Sequence, residues 1–110
     1  MPTILTSSSL VDTLNSSVWT ITPVTVALAG TPVQGPSLVN QFNNSILVHS
    51  PLSNLNKRLF VATSAANAAI ANSRVELRSG ESLVLKIDNA NLLWFNASIN
   101  ATVAQIITEA

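Results

Sequence analysis

From residue 18 onward the apolar positions of this chain recur in short runs with the period of β-strands. Residues 18–28 are rich in β-branched types, with Thr20, Ile21, Thr22, Val24, Thr25 and Val26, which fit a pleated surface. Pro23 interrupts the run. Proline cannot donate to a ladder, so it predicts an edge position, a bulge or a break into two short strands. Gly30-Thr31-Pro32 and Gly35-Pro36 then mark a loop. Residues 37–42 lead to the Asn43-Asn44 turn signal. Ile46-Leu47-Val48 predict a short buried strand, residues 51–56 a loop, and residues 58–63 another strand.

The last third has the clearest pattern. In residues 82–88, Leu83, Leu85 and Ile87 face one side, while Ser82, Val84, Lys86 and Asp88 face the other. Asn89-Ala90-Asn91 turns the chain. Residues 92–97 predict a strand carrying Trp94 and Phe95, Ile99-Asn100 turns it again, and residues 101–108 close with Val103, Ile106 and Ile107. Short strands separated by turns every 8 to 12 residues predict an all-β domain, a small β-sandwich or jelly-roll-like fold over residues 18–110. Residues 64–73, rich in Ala and Asn, read either as one helical turn or as a loop crossing the sheet edges, and their sequence offers no strong cap.

Residues 1–17 differ. They are polar and Ser-rich, with Ile4, Leu5, Leu10, Val11 and Leu14 scattered through them. Leu10, Val11 and Leu14 stand at i, i+1, i+4, which allows a short helical turn. The segment reads as an extended N-terminal arm, either a frayed terminus or a segment that orders on a neighbouring subunit. It lacks positive charge and a long apolar run, so it does not read as a secretory signal.

Composition adds one constraint. Hydrophobic residues make up 47% of the 110 residues and charged residues only 9%, against about 25% charged in an average protein. Ser, Thr and Asn cover the surface instead, as in Ser7-Ser8-Ser9 and Asn43-Asn44-Ser45. Uncharged polar groups cost less to bury against a partner than charges do, and interface cores are depleted in charge. With a mean hydropathy of +0.41, the chain reads as a subunit of an assembly, with Leu5, Leu10, Leu14, Trp19, Arg74 and Arg78 as candidate interface residues. Five basic and five acidic residues give a formal net charge of zero. Only Lys57-Arg58 adjoin, so neither a nucleic-acid surface nor attraction to anionic membranes is expected.

Little in the sequence points to catalysis. Without cysteine there is no disulfide and no thiolate metal site. His49 is the single histidine, and zinc needs three or four ligands. A triad would have to join His49 to Asp12 or Asp88 and one of many serines, with no Gly-x-Ser-x-Gly elbow to support it. Arg74, Glu76 and Arg78 alternate on one strand face, either a solvated edge or a salt-bridge row to a partner. Trp19 and Trp94 read as core or contact residues; exposed, either would suit sugar stacking. Sequons at Asn15, Asn43, Asn96 and Asn100 follow from the abundance of Asn. No enzyme activity, cofactor or metal is expected.

A family resemblance completes the reading. Arg78-Ser79-Gly80-Glu81-Ser82 leads into an alternating strand ending Ile87-Asp88-Asn89, followed by an aromatic strand, a short turn and a final apolar strand. Upstream stand V-A-L-A-G-T-P-V-Q at residues 26–34 and L-F-V-A-T at residues 59–63. Over residues 24–107 this resembles small β-sandwich virion proteins of tailed bacteriophages. Ser79 departs from the Pro such chains often carry there, and residues 65–73 are richer in Ala and Asn than the usual loop. The resemblance implies a capsid decoration (cement) protein on the virion surface, with the major capsid protein as partner and a homotrimer as the favoured oligomer. The alternatives are a tail, collar or baseplate subunit, or a carbohydrate-binding module for host recognition.

Overall fold

A computed structural model describes residues 3–4, 19–39 and 45–109 of the chain. Among the described residues nine strands form two antiparallel sheets packed face to face. In chain order they are β1 (Thr3–Ile4), β2 (Trp19–Val26), β3 (Val33–Gln34), β4 (Ile46–His49), β5 (Leu59–Ala62), β6 (Val75–Leu77), β7 (Ser82–Leu85), β8 (Trp94–Ala97) and β9 (Thr102–Glu109). The first sheet has the order β1-β7-β4-β9-β2 and the second β3-β8-β5-β6. The predicted β-sandwich is therefore the observed fold.

Alternation sets what each strand buries. From the first sheet Val24, Val26, Ile46, Val48, Leu83, Ala104 and Ile106 point inward. They meet Leu59, Val61, Leu77, Phe95 and Ala97 of the second sheet in one core. Ala90 and Leu93 close one end of it. β2 runs unbroken through Pro23, which pairs with Gln105, and lies at the sheet edge. Of the three readings of Pro23, the edge position is the right one.

Two expectations need adjustment. The strand predicted over residues 82–88 stops at Leu85, where the backbone tightens and the Ile87 N–H donates to the Leu85 carbonyl. Residues 64–73 hold a single helical turn, α1 (Ala65–Ala68), followed by a 3-10 turn at Ala71–Ser73. The turn does have a cap, since the Ser64 hydroxyl accepts from the Asn67 N–H at 3.1 Å.

The described part of the N-terminal segment joins the first sheet. Thr3 and Ile4 pair with Val84 and Leu83, making β1 an edge strand beside β7. The expected boundary between arm and domain, at 17/18, lies outside the described residues, as do Leu5, Leu10, Val11, Asp12 and Leu14.

Candidate functional site: the loop end of the sandwich

Strand directions gather particular loops at each end. β2, β4 and β8 run one way and β5, β7 and β9 the other. The segments after β2, β4 and β8, and those before β5, β7 and β9, therefore share one end. That end consists of residues 27–32, 50–58, 78–81 and 98–101.

Asparagine side chains fix these loops where backbone partners run out. β4 pairs as far as His49 with Gln105, and the register would next place Pro51 opposite Val103. Pro51 has no N–H, so pairing stops there. Asn54 takes over from inside the 3-10 turn Leu52–Asn54. Its Oδ1 accepts from the Val103 N–H at 3.0 Å. Its Nδ2 donates to the Val103 carbonyl at 2.6 Å and to the Ser50 Oγ at 3.0 Å. Asn96, buried on the outer face of the second sheet, accepts from the Gly30 N–H at 2.9 Å and donates to the Ala68 carbonyl at 3.1 Å. Its Oδ1 also accepts from the Ala97 N–H at 2.8 Å. Asn100 Oδ1 accepts from the Ala29 N–H at 2.8 Å. In the turn from Arg78 to Glu81, Gly80 adopts φ +84°, as the third position of a type II turn requires. The Glu81 carboxylate accepts from the Arg78 N–H at 2.6 Å, and Gly80 N–H donates to Ser50 at 2.7 Å.

This fixed end presents apolar side chains to solvent. Leu28, Leu52, Leu55 and Ile99 are 45 to 76% exposed. Beside Leu52 and Leu55 lies a groove of about 410 Å³ lined by Asn56, Lys57, Arg58, Arg78 and Ser79. Three of the chain's five cations thus share one groove. Lys57 Nζ donates to the Ala101 carbonyl at 3.2 Å, and Arg58 meets Glu76 at 3.4 Å as an exposed ion pair. The sequence reading missed these four apolar residues. Their signal was present: large hydrophobics inside turn-punctuated segments such as 51–56 and Ile99-Asn100 have no core to enter.

The candidate interface residues fall in different places. Arg78 lines the groove. Trp19 starts the edge strand β2 at 41% exposure. Arg74 turns inward: its guanidinium stacks over the Phe60 ring at 3.4 Å and donates to the Ala68 carbonyl at 2.9 Å. Glu76 on β6 pairs with Arg58, and it and Arg78 just beyond stand exposed along this edge strand of the second sheet. Trp94 is half-buried on the outer face of the second sheet, whereas Phe95 is in the core.

Two further features bear on chemistry. His49 Nδ1 lies 2.6 Å from Ser82 Oγ on the outer face of the first sheet. A serine and a base in such contact resemble an activated nucleophile, but Ser82 is 1% exposed, which denies a substrate access. Burial also holds the His49 pKa below 6.5, favouring the neutral ring. Asp88 lies beyond the other end of β7, away from this pair. Separately, a cleft of about 430 Å³ opens between the sheets, floored by Val61, Leu83, Leu85 and Leu93, with Arg74 on its lining. Arg74 Nε is buried without a hydrogen-bond partner among the described residues. Also among them, no three of His, Asp and Glu come together to hold a metal, and no helix is long and apolar enough to cross a membrane.

Comparison with protein-family models, curated proteins and solved structures finds no match to this chain.

Proposed function

We propose that this protein is a virion structural subunit of a tailed bacteriophage, a capsid decoration protein that docks through the loop end of its sandwich. The observation that carries this reading is the exposure of Leu28, Leu52, Leu55 and Ile99 on loops that buried asparagine amides hold rigid. Loops whose backbone is already tied in this way lose little further backbone freedom on docking, which leaves more of the side chains' burial energy for binding. Each side chain fully buried contributes about 1.5–3 kcal/mol before those costs. The groove of Lys57, Arg58 and Arg78 complements an acidic strip on the partner. The partner is the major capsid protein, and a homotrimer multiplies a modest contact through avidity. The action is mechanical: a ligand that binds only the assembled shell stabilises that shell by mass action. The family resemblance and the scarcity of charge support the reading independently of the loop end.

The test is sedimentation velocity of the purified protein with empty capsids. The wild-type chain is expected to co-sediment with heads. The Leu52→Asp, Leu55→Asp double variant is expected to stay behind while keeping its far-UV spectrum, since both residues lie outside the core. Equal co-sedimentation of the two proteins refutes the docking surface. A wild-type chain that ignores heads but labels tails moves the protein to the tail, collar or baseplate.

A further inference from the structure

The outer face of the first sheet, the one turned away from the second sheet, bears an apolar row that runs across four strands, β7, β4, β9 and β2. Register aligns Val84, Leu47, Ile107 and Ile21 in that order to the β2 edge, and the Thr3 backbone pairs opposite Val84 on β1. A side chain on an uncovered sheet face keeps its tip in water, yet Leu47 is 0% and Ile107 8% exposed. Among the described residues Val84 is the hydrophobic side chain packed against this pair, and it lies in the same row, so it cannot roof them. Ser82, one strand position away on the same face, is equally buried. Some further layer covers the middle of this face.

Chain connectivity names a candidate. β1 and β2 lie at opposite edges of the sheet and run parallel. The segment joining Ile4 to Trp19 therefore crosses four strand spacings, about 19 Å. It leaves one residue beyond the apolar row and returns two residues short of it. A line between those points passes over β4 at Leu47. Fifteen residue steps reach up to about 50 Å when extended, ample for the crossing. The inner face is already occupied by the second sheet.

We propose that residues 5–18 of the same chain cross the outer face of the first sheet and seat Leu5, Leu10, Val11 and Leu14 on Leu47 and Ile107. This assigns the segment to its own domain instead of a neighbouring subunit, and it does not depend on the proposed function. The same face could be roofed by that segment from a second copy, and the experiment separates the two.

Methyl nuclear Overhauser effects are measured on a sample mixing 13C-labelled and unlabelled chains. Contacts from Leu47 and Ile107 methyls to Leu10 and Leu14 are expected within labelled chains. The same contacts found only between labelled and unlabelled chains overturn the proposal, as does their absence. A second readout uses the lack of native cysteine. Leu47→Cys is expected to resist alkylation in the full chain. It is expected to react about tenfold or more faster when Leu5, Leu10, Val11 and Leu14 are all Ser, because local uncovering then no longer limits access. A Val103→Cys control on the same face, off the crossing path, is expected to react at one rate in both backgrounds. Equal Leu47→Cys rates with the control unchanged also overturn it.

Discussion

Replacing Asn54 removes the side chain that continues β4 beyond Pro51. Its amide makes a two-bond pair with the Val103 backbone at 3.0 and 2.6 Å and a third bond to Ser50 at 3.0 Å. The residue is buried, so none of these groups exchanges its partner for water at no cost. Asn54→Leu keeps the volume and deletes the polar atoms. Three net hydrogen bonds at about 1 kcal/mol each, with the penalty for leaving the Val103 amide and carbonyl partly unpartnered, give a loss of about 3–4 kcal/mol. That is a large share of the roughly 5–15 kcal/mol that holds a domain folded. At a urea m-value of about 1.5 kcal/mol/M, the midpoint falls by about 2 M. Asn54→Asp separates the two backbone bonds: it keeps an acceptor for the Val103 N–H but sets a carboxylate against the Val103 carbonyl, and is expected to cost at least as much. Leu52→Ala, on the exposed side of the same turn, serves as the control and should move the midpoint little. Urea unfolding followed by tryptophan fluorescence reads all four proteins. If Asn54→Leu costs less than about 1 kcal/mol at unchanged m, Asn54 does not replace the missing strand partner.

Three other perturbations follow from the same structure. Ser79→Pro places proline at the second position of the type II turn, where it pre-sets φ; thermal unfolding should show a gain of about 0.5 kcal/mol, and a loss beyond that size would contradict the turn assignment. Gly35→Ala should destabilise by about 1–3 kcal/mol in calorimetry, because its added Cβ would lie 2.3 Å from the Ala90 carbonyl oxygen, and a neutral result would mean the backbone yields there freely. His49 has its pKa lowered by burial, so below its ordinary value of 6.5 the unfolded chain binds more protons than the folded one. Stability is therefore full above that pH and declines as pH falls through 6.5 towards the folded value, and His49→Gln should flatten this part of the pH profile measured by urea midpoints.

Periodicity and turn chemistry made much of the fold legible from residues alone. Ile46-Leu47-Val48, residues 59–63 and residues 101–108 carry β-branched or alternating apolar residues bounded by Asn, Gly and Pro, and each became a strand. These signals are local: they depend on side-chain shape and on which backbone angles a residue tolerates. Where the signal was local but weak, as at the Ser64 cap, the pattern underdetermined the outcome.

The candidate docking site was less legible, because exposure is a property of the assembled layers. Leu52 and Leu47 are the same residue type, yet one stands in solvent and the other is wholly buried. Arg74 and Arg78 occupy equivalent places in the alternating pattern. Only the helical turn packed beside Phe60 draws Arg74 inward and leaves Arg78 in the groove. Residue chemistry over a few positions set the strand class, the edge role open to Pro23, the turns and the shortage of charge. The tertiary structure alone decided strand order, which asparagines became backbone surrogates and which apolar residues were left facing out. Those outcomes depend on groups far apart in sequence, such as Gly30 with Asn96, 66 residues away, and Ala29 with Asn100, 71 residues away, and no local pattern records which distant segment the fold will bring alongside.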